Sequence, residues 1–308
     1  FGIGNISSGI IENYLKLNPS NYFIGHEAGG KITTGLYNSV FGYKAGASLT
    51  SGPSNIFIGH QAGQNATTGD ASIFLGAFAG NSVTTGQRSV LIGAYAGQYW
   101  ETGEGNTYIG YAAGQGLGAG MCLGTNNTYI GEHAGQRMRW GDHNVFIGDR
   151  SGVECRKGMK NVLIGGLVNY NYDGFARNDT INENVIIGFN AAGSNYHGDK
   201  NVIIGAYANG LNKSGGFNGS SNVFIGYMAG YSEQSSNKLY IDNSGTSSPL
   251  IYGDFTDGSE KLVFNGNVGI GVTPGTRLSV SGLTGSASGS TLVISGNNVY
   301  YLTSKKSS

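Results

Sequence analysis

The chain has 308 residues, including 56 Gly and only 4 Pro, and its 18 basic residues balance 18 acidic ones. Glycine at this level, with little proline and no Gly-X-Y period, excludes a collagen triple helix. Charged residues make up 12% of the chain, about half of the ~25% usual for soluble domains, so charge repulsion gives little protection against association. The even balance leaves no electrostatic footprint for nucleic acid or an anionic membrane. With no run of about 18 apolar residues, no membrane-inserted helix is expected.

In chain order, Phe1-Gly2-Ile3-Gly4 reads as the tail of a preceding coil, with a connector running to residue 19. The start then implies a cut from a longer polypeptide. From there a glycine closing a short apolar run returns at Gly25, Gly42, Gly59, Gly76, Gly93 and Gly110, every 17 residues. It continues at Gly131, Gly148, Gly165, Gly188, Gly205 and Gly226, with gaps of 21, 17, 17, 23, 17 and 21. A fixed period of this length marks a solenoid with one coil per repeat. The expected fold is all-β: a parallel β-roll or β-solenoid of about twelve ~17-residue coils over residues 20–230.

Within one coil, counted from the repeated glycine, position −1 is Ile, Leu or Phe and position −3 is mostly β-branched, as in Ile56, Ile73, Val145 and Val223. Such runs favour strand. Period-2 geometry sends −3 and −1 to one face and −2 to the other. The branched pair suits a narrow coil interior, which turns the −2 column outward. That column holds Phe23, Val40, Phe57, Phe74, Leu91, Tyr108, Tyr129, Phe146, Leu163, Ile186, Ile203 and Phe224. An outward ladder of this length is an association site, so these residues are expected to form the interface of a homo-oligomer. Asn occupies −4 in ten coils, among them Asn55, Asn127 and Asn144. Two readings stay open: an amide ladder along the stack, or a turn residue tolerant of left-handed dihedrals.

The segments Asn144-Val145-Phe146-Ile147-Gly148 and Asn222-Val223-Phe224-Ile225-Gly226 resemble the coils of trimeric autotransporter adhesin heads. Gly59-His60-Gln61-Ala62-Gly63 and Gly226-Tyr227-Met228-Ala229-Gly230 are similar to the Ile-Gly-x-x-Ala-Gly repeats of phage tail fibres. The resemblance implies a left-handed parallel β-roll in a homotrimer. It also implies a virion-tail or cell-surface location, a cell-surface glycan or protein receptor, and an N-terminal fibre or baseplate partner.

Past Tyr231, the segments 237–242, 250–253 and 261–264 read as short strands of a β-rich neck spanning residues 231–275. Residues 276–308 read as a Ser/Gly-rich trimeric stem. Asn267-Val268-Gly269-Ile270-Gly271-Val272-Thr273-Pro274 is similar to necks that precede the self-cleaving intramolecular chaperone of phage tailspikes. That likeness implies that Ser308 is the residue left by self-cleavage.

Chemistry is sparse. The five histidines are scattered, and only His26 and His60 share a phase; no metal site and no cofactor is expected. Cys122 and Cys155 occupy different phases and cannot be paired from sequence. The carboxylate pairs Glu101/Glu104 and Asp254/Asp257 sit in turn-like contexts, and no catalytic residue is assigned. The expanded coils are the expected binding face, since insertions in solenoids emerge as loops. Their aromatics and those of the second half-coil give the ligand-binding candidates Trp100, Trp140, Tyr170, Tyr172, Phe175 and Arg177. The expectation is a non-enzymatic fibre segment for surface attachment, as in a phage tail fibre. The alternatives are a bacterial surface adhesin or extracellular filament subunit, and a polysaccharide depolymerase.

Overall fold

A computed structural model describes residues 2–4, 13–118, 122–170, 180–193, 198–210, 219–270, 273–275 and 278–280. Twelve three-residue strands, from Tyr22–Ile24 to Val223–Ile225, stack as one parallel ladder. Equivalent positions pair in register, as in Ile56↔Ile73, Phe57↔Phe74 and Ile58↔Leu75. The longer gaps do not disturb this: Val162 still pairs with Val185 across the 23-residue spacing. The register is held across the longer gaps, where a slip of one residue would turn every side chain to the wrong face. The fold is the all-β parallel solenoid of about twelve ~17-residue coils read from the glycine rhythm. Among the described residues there is no helix.

The facing of each strand is the reverse of the sequence expectation. The −2 residues Phe23, Phe57, Phe74, Leu91, Tyr108, Tyr129, Phe146, Leu163, Ile186, Ile203 and Phe224 are all at most 2% exposed, inside the coil of a single chain. They are the core and not an outward interface. Their rings stack along the coil axis, with centroids 4.7 Å apart for Phe57–Phe74, 4.7 Å for Tyr108–Tyr129 and 4.9 Å for Tyr129–Phe146. Room for them comes from the opposite wall, which is Ala at +3 and Gly at +4. A Cβ on Gly63 would lie 2.9 Å from the Phe57 ring and 3.0 Å from that of Phe74. The interior is therefore wide opposite the strand, and large side chains fill it. Burial of each such side chain contributes about 1.5–3 kcal/mol.

Asn at −4 shares the parity of −2 and points inward with it. Asn144 is fully buried, and its Nδ2 donates to Asn127 Oδ1 at 3.0 Å and to the Gly158 carbonyl at 2.8 Å. Its Oδ1 accepts from the backbone N–H and Nδ2 of Asn161 at 3.1 and 3.0 Å. The amide-ladder reading holds. The left-handed residue of the turn is the one before it, such as Ser54 at φ 62° or His143 at φ 60°.

A second, interrupted sheet lies on the other side of the coil. Trp100–Thr102 pairs parallel with Cys122–Leu123, and Lys157–Met159 with Thr180–Asn182. Bridges Leu123↔Trp140 and Trp140↔Lys157 join the two pieces. Cys122 and Cys155 are both buried, and the Cys155 sulfur accepts from Asn169 Nδ2 at 2.8 Å.

Antiparallel strands flank the ladder at both ends. Gly2–Gly4 pairs antiparallel with Asn13–Leu17, which pairs antiparallel with Tyr22–Ile24. The opening residues are thus not a parallel coil tail, as their Ile-Gly motif suggested. At the other end Lys238–Ile241 continues the parallel ladder on Val223–Ile225, and Ile251–Asp254 returns antiparallel to it. These strands occupy the hydrogen-bonding edges on which further coils could otherwise add. The chain divides into two compact units, Phe1–Val263 and Phe264–Ser308. In the second, Val268–Ile270 pairs parallel with Leu278–Val280. Ser308 and most of the stem lie outside the described residues.

Candidate functional site

With the −2 column inside, the −3 and −1 columns form the outer face of the ladder. Every described member is apolar except Ser39, Thr107 and Thr128, and none is buried. Tyr22 and Phe41 are 54% and 53% exposed, and Ile58, Leu75, Ile204 and Ile225 lie between 36% and 40%. Twelve coils at ~4.8 Å spacing make this a stripe roughly 55 Å long. A contiguous exposed apolar stripe of that length is the kind of patch that marks an interaction site.

A second strip runs along the adjacent corner, at positions +1 and +2. Tyr14, His26, Tyr43, His60, Phe78, Tyr95, Tyr111 and His133 form an unbroken ring ladder with successive centroids 5.0–5.9 Å apart. Phe189, Tyr207 and Tyr227 extend the same corner further along, at 5.6 and 6.1 Å. Sequence reading missed this strip because its rings alternate between two phases. The shared phase of His26 and His60 was the visible trace; Tyr43 stacks between them. Among the described residues no cluster of three or more His, Cys, Asp or Glu is arranged to hold a metal.

The predicted ligand-binding residues separate. Trp100 is 3% exposed and its indole N–H donates to the Gly114 carbonyl. It is a core residue at an inward position of the second sheet, so its candidacy as a surface contact falls. Trp140 lies two residues further along the coil phase and points outward, 37% exposed, with Lys157 Nζ 5.0 Å from its ring centroid. Tyr170 is half-buried. Tyr172, Phe175 and Arg177 lie outside the described residues.

Two of the carboxylates singled out from sequence, Glu104 and Asp254, have side-chain partners. Glu104 pairs with Arg88 across neighbouring coils. Asp254 pairs with Lys238 at 2.7 Å and accepts from the Thr256 hydroxyl, which together hold its carboxyl well below the ordinary range. In the core, burial pushes the phenols of Tyr108 and Tyr129 well above their ordinary value.

Comparison of the chain with protein-family models, with curated proteins and with solved structures returns no match.

Proposed function

We propose that the chain is a structural segment of a homotrimeric fibre or adhesin that attaches to a cell surface, with a phage tail fibre as its setting. The observation that carries this reading is the outer face of the ladder, two columns of mostly β-branched and aromatic side chains. Only a partner with the same ~4.8 Å rise matches such a face coil by coil, and another copy of this chain is the simplest such partner. The zero net charge adds no long-range repulsion between copies.

The adjoining ring ladder supports three copies over two. Two different apolar strips on neighbouring faces suit a heterologous contact, in which each copy gives one strip and receives the other. Such contacts close as a ring when the rotation between copies completes a turn, and the parallel arrangement keeps like ends together, as a fibre requires. The test is native mass spectrometry of the full chain. A three-chain assembly is expected, and a one-chain or two-chain species removes the trimer. Attachment is tested separately, by retention of the labelled assembly on bacterial cell envelopes.

A further inference from the structure

The second sheet carries an open trough of about 410 Å³, within the size range of small-ligand sites. It spans three successive coils. Trp140, Lys157 and Thr180 line one side, Asp142, Met159 and Asn182 the other, and the backbone of Gly141 and Gly158 forms the floor. Strand parity explains the shape. Ile181 pairs with Gly158 and is fully buried, so this row points inward and the rows on either side of it point out.

We propose that this trough binds an acidic saccharide, a sugar unit bearing a carboxylate. The proposal rests on the attachment reading only for the source of the sugar, a cell-surface polysaccharide. Trp140 and Met159 are 37% and 49% exposed, yet they stand among a hydroxyl, a carboxamide, a carboxylate and an ammonium. A pyranose needs this mixture, because its C–H surface is apolar and its rim is hydroxyl. Lys157 is the cationic member of the lining and the group that can pair with an anion. Lys157 forms no ion pair among the described residues, and its ammonium sits over the Trp140 ring. The neighbouring carboxylates keep their charge but are tied to the coil backbone: Asp142 Oδ1 accepts from the Thr125 N–H and hydroxyl at 2.7 and 3.1 Å. Asp199 Oδ1 likewise accepts from the Asn182 N–H at 2.7 Å. A single available lysine fits one carboxylate, and not the regular phosphate track of a nucleic acid.

The experiment is a glycan microarray carrying uronic-acid, sialic-acid and neutral oligosaccharides. It is probed with the full assembly as wild type, Trp140→Ala, Trp140→Phe and Lys157→Gln. Native mass confirms that each variant assembles as the wild type does. Acidic glycans are expected to bind, with at least a tenfold loss in Trp140→Ala and Lys157→Gln and most binding kept in Trp140→Phe. Binding of neutral glycans alone would overturn the ligand class. Acidic-glycan binding unchanged in both Trp140→Ala and Lys157→Gln, or absent from the wild type, would overturn the site. Envelope retention by Trp140→Ala at the wild-type level also removes this site, while leaving attachment itself standing.

Discussion

At the scale of single residues, two positions carry the coil closure. Asn144 is a hub of four buried hydrogen bonds, two given and two received. Its replacement by Ala strands the Asn161 N–H and the Gly158 carbonyl away from water, where each unsatisfied group costs about 1–3 kcal/mol. Thermal unfolding of Asn144→Ala is expected to show a loss of about 3 kcal/mol. Asn144→Ser should lose less, because Ser72 and Ser89 already hold this position, with Ser89 N–H donating to Ser72 Oγ at 3.3 Å. Equal losses for Ala and Ser would show that the side-chain ladder contributes nothing. Gly59 is the second position. At φ 138° it lies where L side chains rarely go, and a Cβ there would run into the Gly76 carbonyl of the next coil. Gly59→Ala is therefore expected to destabilise by more than the ~1 kcal/mol of an ordinary glycine-to-alanine change in a strained turn. A stability within experimental error of wild type would contradict that collision.

At the scale of elements, coil length, strand register and the number of coils were legible because backbone pairing and glycine turns repeat in sequence. The facing of the strand was not, since both columns are apolar and alternation alone has no sign. What decides it is the residue beside the strand. Asn at −4 shares the parity of −2, and an amide that bonds to the next Asn and across the coil to a glycine carbonyl, as Asn144 does to Gly158, has to lie inside. The Gly at +4, flush against the Phe57 and Phe74 rings, was the other clue to a wide interior. The end strands escaped a repeat-based reading because they break the period: Gly2–Gly4 carries an Ile-Gly motif but pairs antiparallel. The trough was half legible, through Trp140 alone, because its walls come from three coils.

The hairpin of Lys238–Ile241 and Ile251–Asp254 holds the lowered carboxyls. Lys238 and then Thr256 lower Asp254, and the Ser244 hydroxyl and then the Leu250 N–H lower Asp242. Burial pushes Glu233 up, but hydrogen bonds from Ser235, Tyr240 and Gln234 outweigh it and bring it below 4.5. All three folded values lie below the ordinary 3.8 or 4.5, so ionisation of these groups stabilises the fold above that range. The stabilisation is lost as pH falls through the lowered values. Amide protection of this hairpin, corrected for intrinsic exchange, should be flat from about pH 7 to 5 and fall below about pH 4. Protection of Val145–Ile147 in mid-ladder serves as the reference. A parallel decline in both would assign the acid sensitivity to the whole stack.

For the whole molecule, the two faces of one strand make separable predictions. Phe57 is 1% exposed inside the coil, while its neighbour Ile58 is 38% exposed on the outer face with Leu75 at 40% beside it in the next coil. Phe57→Ala leaves a cavity and should cost about 3–5 kcal/mol in thermal stability, yet leave the assembly mass unchanged in the folded fraction. The pair Ile58→Asp and Leu75→Asp should do the opposite. Aspartates there remain hydrated in a free chain, so each coil keeps its core, but pressing them against another copy buries unpaired charge. Native mass should then shift from three chains toward one, with far-ultraviolet circular dichroism retained. If the aspartate pair leaves the three-chain mass intact, the apolar stripe is not where the copies meet. The contact would then have to be sought along the ring ladder from Tyr14 to His133, the other strip long enough to hold parallel copies in register.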